Sequence, residues 1–255
     1  MQLSGTSPAY FLLYTLIIFI ALLIRYFVAA GLFYYYYNII HSKKYTPKKL
    51  SRKKLRKRQI RKEISYSIKS SAIFAVFGAG VYWLWLRDLT AIYLDPAAYP
   101  YWYLPVSLIL IFLIHETYYY WVHRWMHHPK IFKKVHKVHH ESITPTAWTA
   151  FSFHPWECFL EALILPLILI SLPVNIFVLA FYLLVMTLSS VINHLDIEIY
   201  PEFFLKSKLG KLVIGATHHH YHHEEFQTNY GLYFTFWDKW MKTESSKMEA
   251  IENPD

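Results

Sequence analysis

"AYFLLYTLIIFIALLIRYFVAA", residues 9–30, contains one charged side chain, Arg25. A bilayer's hydrocarbon core is ~30 Å thick and takes ~20 helical residues to cross. The stretch therefore predicts a membrane-spanning helix, with Arg25 snorkelling toward the surface and Tyr34 to Tyr37 forming an interfacial belt. It does not read as a cleaved signal peptide, because no basic segment precedes it and the apolar run is too long. Residues 66–86 and 104–121 read as second and third spans. The apolar block 158–192 is broken at Pro166 and at "SLPVN" (171–175), which predicts a hairpin of two helices, fully crossing or re-entrant.

Composition agrees. The 255 residues are 55% hydrophobic and only 17% charged, against about 25% in soluble domains. One cysteine, Cys158, excludes an internal disulfide framework. The expectation is an all-α integral membrane bundle of about 4–5 apolar helices with a cytoplasmic, histidine-rich metal-binding cap. It forms a single domain, 1–255, divided as follows: a first span (9–37), a basic cytoplasmic segment (43–62), spans two and three (66–121), a histidine-rich region (122–157), the hairpin (158–193), a second histidine-rich region (194–242) and a polar tail (243–255).

Twelve of the 26 Lys and Arg residues fall between Lys43 and Lys62, and the remainder of the chain is net acidic. A run of this kind reads as a topology determinant that stays cytoplasmic and attracts anionic lipid. Apolar flanks on both sides argue against nucleic acid. With the run in the cytoplasm, the second span leaves, the third returns, and the hairpin leaves and returns. Every histidine cluster then lies on the cytoplasmic face.

All but one of the fifteen histidines fall between His115 and His223. "HRWMH" gives His123 and His127, "HKVHH" gives His136, His139 and His140, and "HHYHH" gives His219, His222 and His223. Spacings of three and four put side chains on one helical face, where two imidazoles can share a metal at ~2.0–2.1 Å per bond. Eight such donors are too many for one ion and suit two, ~3.5–4 Å apart. Isolated histidines such as His41 and His115 read as packed or capping groups. His128, His218 and His220 form a second tier, and His154 reads as orienting its neighbours. Imidazole suits iron, zinc and copper alike, so the donors alone do not select the metal.

From about Glu116 to Trp240 the sequence resembles the membrane-bound fatty acid hydroxylase superfamily, particularly its sterol-desaturase branch. The resemblance is carried by "ETYYYWVHRWMHH" (116–128), "VHKVHHES" (135–142), "FHPWE" (153–157), "INHLDIEIYP" (192–201) and "HHYHHEEFQTNYGLYFTFWD" (219–238). It implies three histidine boxes that bind two iron ions, with zinc an inactive substitute. The ligands would be His123, His127, His136, His139, His140, His219, His222 and His223, with His194 of the Asn193-His194 pair as a ninth. Glu116, Glu141 and Asn193 are candidates to orient the imidazoles, with Glu157, Asp196 and Glu224 as weaker ones. Asn229, Tyr230, Gly231, Trp237 and Asp238 read as scaffold.

The implied activity is O2-dependent hydroxylation or desaturation of a C–H bond in a membrane lipid, such as a sterol or a fatty acyl chain. No flavin, nicotinamide or haem fingerprint is present, so electrons would come from a separate donor, a reductase or a b-type cytochrome or ferredoxin. The basic run is a candidate dock for an acidic carrier. Two readings without oxidation compete: a membrane metal transporter, and a structural protein stapled by zinc. A transporter would carry its ligands near the bilayer midplane, whereas these lie outside the apolar runs. A bacterial inner membrane is favoured by the compact length, and the endoplasmic reticulum also satisfies the topology. A reporter fused after Asp255 is expected on the cytoplasmic side, and a periplasmic or lumenal reporter would break the topology.

Overall fold

The structure, a computed structural model, describes residues 7–248, so residues 249–255 of the expected polar tail lie outside the described residues. In chain order the helices that matter are α1 (Pro8–Tyr34), α2 (Lys57–Trp85), α3 (Tyr103–Met126), the short α4 (Pro129–Val135) and α5 (Lys137–His140), α6 (Pro155–Ser171), α7 (Ile176–Asn193), α8 (Ala216–Glu225) and α9 (Phe236–Met241). The protein is an all-α membrane protein. Five long helices form the bundle, and the short ones gather at one end as a cap. At the other end Ile92–Tyr93 and Val174–Asn175 pair as a minimal parallel sheet.

Among the described residues three helices are long and apolar enough to cross a membrane: Pro8–Ile40, which adds a π-helical turn to α1, Lys57–Trp85 and Ile176–Asn193. The expected third span, 104–121, is a helix but does not join them, because its C-terminal half turns polar to meet the cap. Pro166 does not break the hairpin's first arm. It sits inside α6, and the turn comes at Leu172 to Asn175, where the Asn175 side chain accepts from the Phe177 N–H and caps α7.

α1 and α2 pack closely because α2 presents Ala75 and Ala79, both fully buried, and Gly78, where a Cβ would stand 3.2 Å from Ile18. Small residues allow such approach where lipid offers no hydrophobic drive for helix association. Arg25 does not snorkel as expected. Its Nη1 lies 3.5 Å from the Leu183 carbonyl on α7 and its guanidinium lies over the Phe151 ring.

The link after α5 seats the cap on the bundle. Thr146 caps a 3-10 turn, Ala147–Phe151, whose carbonyls accept from Tyr26 (at Trp148, 2.8 Å) and Ser190 (at Ala150, 2.8 Å). Ala147, Ala150, Phe151 and Phe153 complete a buried core with Tyr26, Ala30, Cys158 and Val191. The basic segment is also tied down. Asp196, at φ 59°, accepts from the Leu50 and Ser51 N–H groups, and Lys62 pairs with Glu141.

A second strap runs from Asn229 to Thr235. Glu116 on α3 is fully buried and accepts the backbone N–H groups of Leu232 (3.1 Å), Tyr233 (2.7 Å) and Phe234 (3.3 Å), while Asp238 accepts those of Tyr230 and Gly231. A Cβ at Gly231 would fall 2.6 Å from the Phe234 oxygen and 2.9 Å from Glu116. Glu116→Ala strands three N–H groups and is expected to destabilise the fold by about 3 kcal/mol. Glu116→Gln, which keeps one acceptor, should cost less. Thermal unfolding in detergent checks the order.

Candidate metal centre

Each histidine is placed by a helix end. His123 and His127 close α3, His136 sits between α4 and α5, and His139 and His140 lie on α5. His194 caps the C-terminus of α7, and His219, His222 and His223 lie on α8. Their ligand atoms gather into two groups, His123, His127, His136, His140 and His222 in one, and His139, His194, His219 and His223 in the other, each within 4.8 Å. All nine residues singled out from the sequence are therefore brought together, and they are divided five and four.

Within the groups the Nε2 atoms face one another. His123 and His136 stand 3.0 Å apart, His127 and His140 3.2 Å, and His140 and His222 3.1 Å. In the second group His139 and His194 stand 3.2 Å apart, His194 and His219 2.9 Å, and His219 and His223 3.1 Å. Two donors ~2.1 Å from one ion at right angles would stand ~3.0 Å from each other.

For two of these contacts, His123–His136 and His139–His194, the opposite ring nitrogens show that no hydrogen bond joins the Nε2 atoms. Nδ1 of His123 donates to the Tyr230 carbonyl (2.8 Å), His222 to Thr228 (2.8 Å) and His194 to Ser190 (2.7 Å). His139 donates to Ser152 (3.4 Å), and His136 to the Glu157 carboxylate (2.7 Å). With Nδ1 carrying the proton, Nε2 is a bare lone pair. His123 and His136 then point lone pairs at each other, as do His139 and His194. Only a cation between them satisfies both, so the donor set fits a metal ion.

Protonation is no substitute. Burial first, and neighbouring imidazoles second, hold His136, His139, His140, His219, His222 and His223 far below the ordinary imidazole range. Burial lowers His194 to about 4. The rings stay neutral, as metal ligands must be.

The expected orienting residues divide. Glu157, a weaker candidate from sequence, holds His136. Glu116 touches no imidazole and acts on the strap that carries Tyr230. Glu141 contacts Lys62 and Lys137 rather than a histidine, because it lies on the outer face of the turn after α5. Asn193 donates to the Leu232 carbonyl and ties α7 to the strap. Asp196 holds the basic segment and stands 3.6 Å from His220, and Glu224 pairs with Lys247. His128 and His154 cap α4 and α6, and His218 is buried 3.9 Å from Asp238. None of these second-tier histidines joins either group. His115 lies against the hydroxyls of Tyr182 and Tyr233. The acceptors missed from sequence are the carbonyls of Tyr230, Thr228, Ser190 and Ser152, which no side chain announces.

Three cavities meet the histidines, one of them, of about 500 Å³, at His127 beside Arg124 and Tyr230; the other two differ in character. One, of about 190 Å³, runs between the long helices, is lined by residues such as Ile18, Phe77, Ile164 and Leu183, and ends at His194 and His219. The other, of about 560 Å³, opens at the basic segment beside Arg52, Lys53 and Lys137 and reaches His140 and His223.

The Fatty acid hydroxylase family model matches residues 108–243. The chain is 30% identical over 186 residues to lathosterol oxidase of Homo sapiens and 31% identical to that of Mus musculus, covering 71% of this chain and 59% of theirs. It is 28% identical over 167 residues to a Delta(7)-sterol 5(6)-desaturase of Gibberella zeae, covering 66% of this chain and 50% of that protein. The chain thus spans between half and three-fifths of these relatives. No solved structure matches it.

Glu157→Gln takes the carboxylate from His136 and is expected to weaken divalent-ion binding about 10–100-fold. Chelator competition followed by elemental analysis reads the loss.

Proposed function

The chain belongs to the fatty acid hydroxylase family, and on that footing we propose that it is a di-iron, O2-dependent oxidoreductase acting on a C–H bond of a membrane lipid. The observation that carries the reading is the meeting of an apolar cavity from the membrane helices with His194 and His219, inside a set of nine imidazoles whose Nε2 atoms face inward. His123, His127, His136, His140 and His222 would hold one iron, and His139, His194, His219 and His223 the other. Zinc would fit the same donors and be inert, having no redox chemistry. Bound there, iron would supply the redox chemistry that couples dioxygen and two electrons to oxidation of the lipid.

The chain's own residues do the rest. Nδ1 hydrogen bonds fix the rings of His123, His136, His139, His194 and His222, so these donor atoms are aimed before an ion arrives. Burial keeps the imidazoles neutral. The cavity between α1, α2, α6 and α7 admits an apolar molecule from the bilayer and brings one end of it to His194 and His219. Sterols, named for the relatives, are the first substrates to test. The positive charge of the basic segment, which Asp196 ties to the cap, favours a cytoplasmic face for the cap, and the cavity lined by Arg52, Lys53 and Lys137 together with Glu141 and Glu224 would be the place for an electron donor to approach His140 and His223. The histidines stand at helix ends, away from the bilayer midplane, which favours this reading over a transporter.

Cells expressing the chain should accumulate a lipid that has gained one oxygen or lost two hydrogens, seen by comparative lipid mass spectrometry. His139→Ala should abolish the product. Iron-replete protein given reductant and dioxygen that leaves every lipid unchanged would reject the proposal.

A further inference from the structure

Among the described residues Arg25, within the first span, has no carboxylate partner. It stands nine residues before the end of α1, about 14 Å along the helix axis. Its partners among the described residues are the Leu183 carbonyl at 3.5 Å and the Phe151 ring, and its Nε has no acceptor. The guanidinium cannot shed its proton to escape, and a buried cation that is neither paired nor fully hydrogen-bonded is costly. An ionisable residue inside the membrane without an ionic partner among the described residues is a functional-site candidate by default.

Its position says which one. Arg25 lines the same cavity that ends at His194 and His219. Leu183, whose carbonyl it touches, lies eleven residues before His194 on α7, about 16 Å along the axis. The cavity therefore has His194 and His219 at one end and the guanidinium partway along it, level with Leu183, while Ile18 and Leu22 carry its apolar lining further and His115 and Tyr182 add polar groups to its wall. Glu161 also lines it with an unpartnered Oε1, but it lies one turn beyond Glu157, near the histidines, and a carboxyl can be neutral where a guanidinium cannot.

We infer that Arg25 binds an oxygen acceptor on an elongated lipid, a carboxylate or a hydroxyl, and so holds the lipid with its polar end toward Arg25 and a carbon about 10–16 Å away beside His194 and His219. This rests on the cavity being the substrate site, as proposed above, and deepens it: the carbon presented for oxidation is remote from the lipid's polar group. Arg25 is a positioning residue. The planar fork matters as well as the charge, because it can serve Leu183 and a ligand oxygen together.

The test is binding, without dioxygen or reductant, to the full iron-loaded chain in dodecyl maltoside micelles, read by scintillation proximity with tritiated probes. Palmitate against hexadecane tests a carboxylate on a flexible chain, and cholestanol against cholestane tests a hydroxyl on a rigid one. In at least one pair the oxygenated probe should bind about tenfold tighter or more. Arg25→Leu should erase that difference while leaving hydrocarbon binding unchanged, which a collapsed fold would not do. Arg25→Lys should restore part of it. The pair that responds identifies the source of the oxygen. Equal binding within both pairs, or an undiminished preference in Arg25→Leu, overturns the inference. Oxidation plays no part in the measurement, so an Arg25-dependent preference in a chain that oxidises nothing would sink the proposed function and leave the site standing.

Discussion

Neutral imidazoles that point lone pairs at one another in a buried space are the constraint on which this structure turns. The Nε2 atoms of His123 and His136 are 3.0 Å apart, and both Nδ1 atoms are already donating elsewhere. Rotating a ring would break the outer bond, and adding a proton would set one buried imidazolium among several others. A cation resolves the repulsion, and the protein has placed its carbonyls and one carboxylate so that no cheaper resolution exists. The acceptors behind the rings matter as much to the site as the rings do.

Those acceptors are themselves held. Tyr230 offers its carbonyl to His123 while its own N–H goes to Asp238, and the next N–H groups go to Asp238 and Glu116. Glu116 lies two turns before His123 on the same helix. α3 thus carries both a histidine and the carboxylate that fixes that histidine's acceptor. Burial lifts Asp238 to about 6 even with the Gly231 and Tyr230 N–H groups opposing it, which shows how dry this support is. Gly231 fits because any Cβ would meet Glu116 and Phe234.

Spacing in the sequence reveals which histidines share a face but not which share an ion. His123 with His127 and His219 with His223 sit four apart and meet as helical geometry requires. His139 and His140 are neighbours in sequence, yet they enter different groups, and so do His222 and His223. Consecutive helical side chains diverge by about 100°, so each adjacent pair sends one ring to either side, and the boxes interleave. The bundle was legible in the apolar runs because lipid imposes a length. The fate of single polar residues was not: Arg25 and Glu141 carry the signature of surface groups, and only tertiary packing turned the first inward and the second away from the site.

Two of the cavities that reach the histidines differ in chemistry, and that difference orders the centre. The apolar approach ends at His194 and His219, both in the group of four. The basic approach reaches His140 in the group of five and His223 in the group of four. A largely apolar lipid and a charged, water-soluble partner would need such separate entrances, since one passage would have to be both dry and solvated. The basic segment serves this division directly. Asp196, two residues after His194, accepts the Leu50 and Ser51 N–H groups and draws the cationic segment beside the cap. The same short stretch after α7 therefore supplies a donor to the group of four and anchors the charged rim outside it.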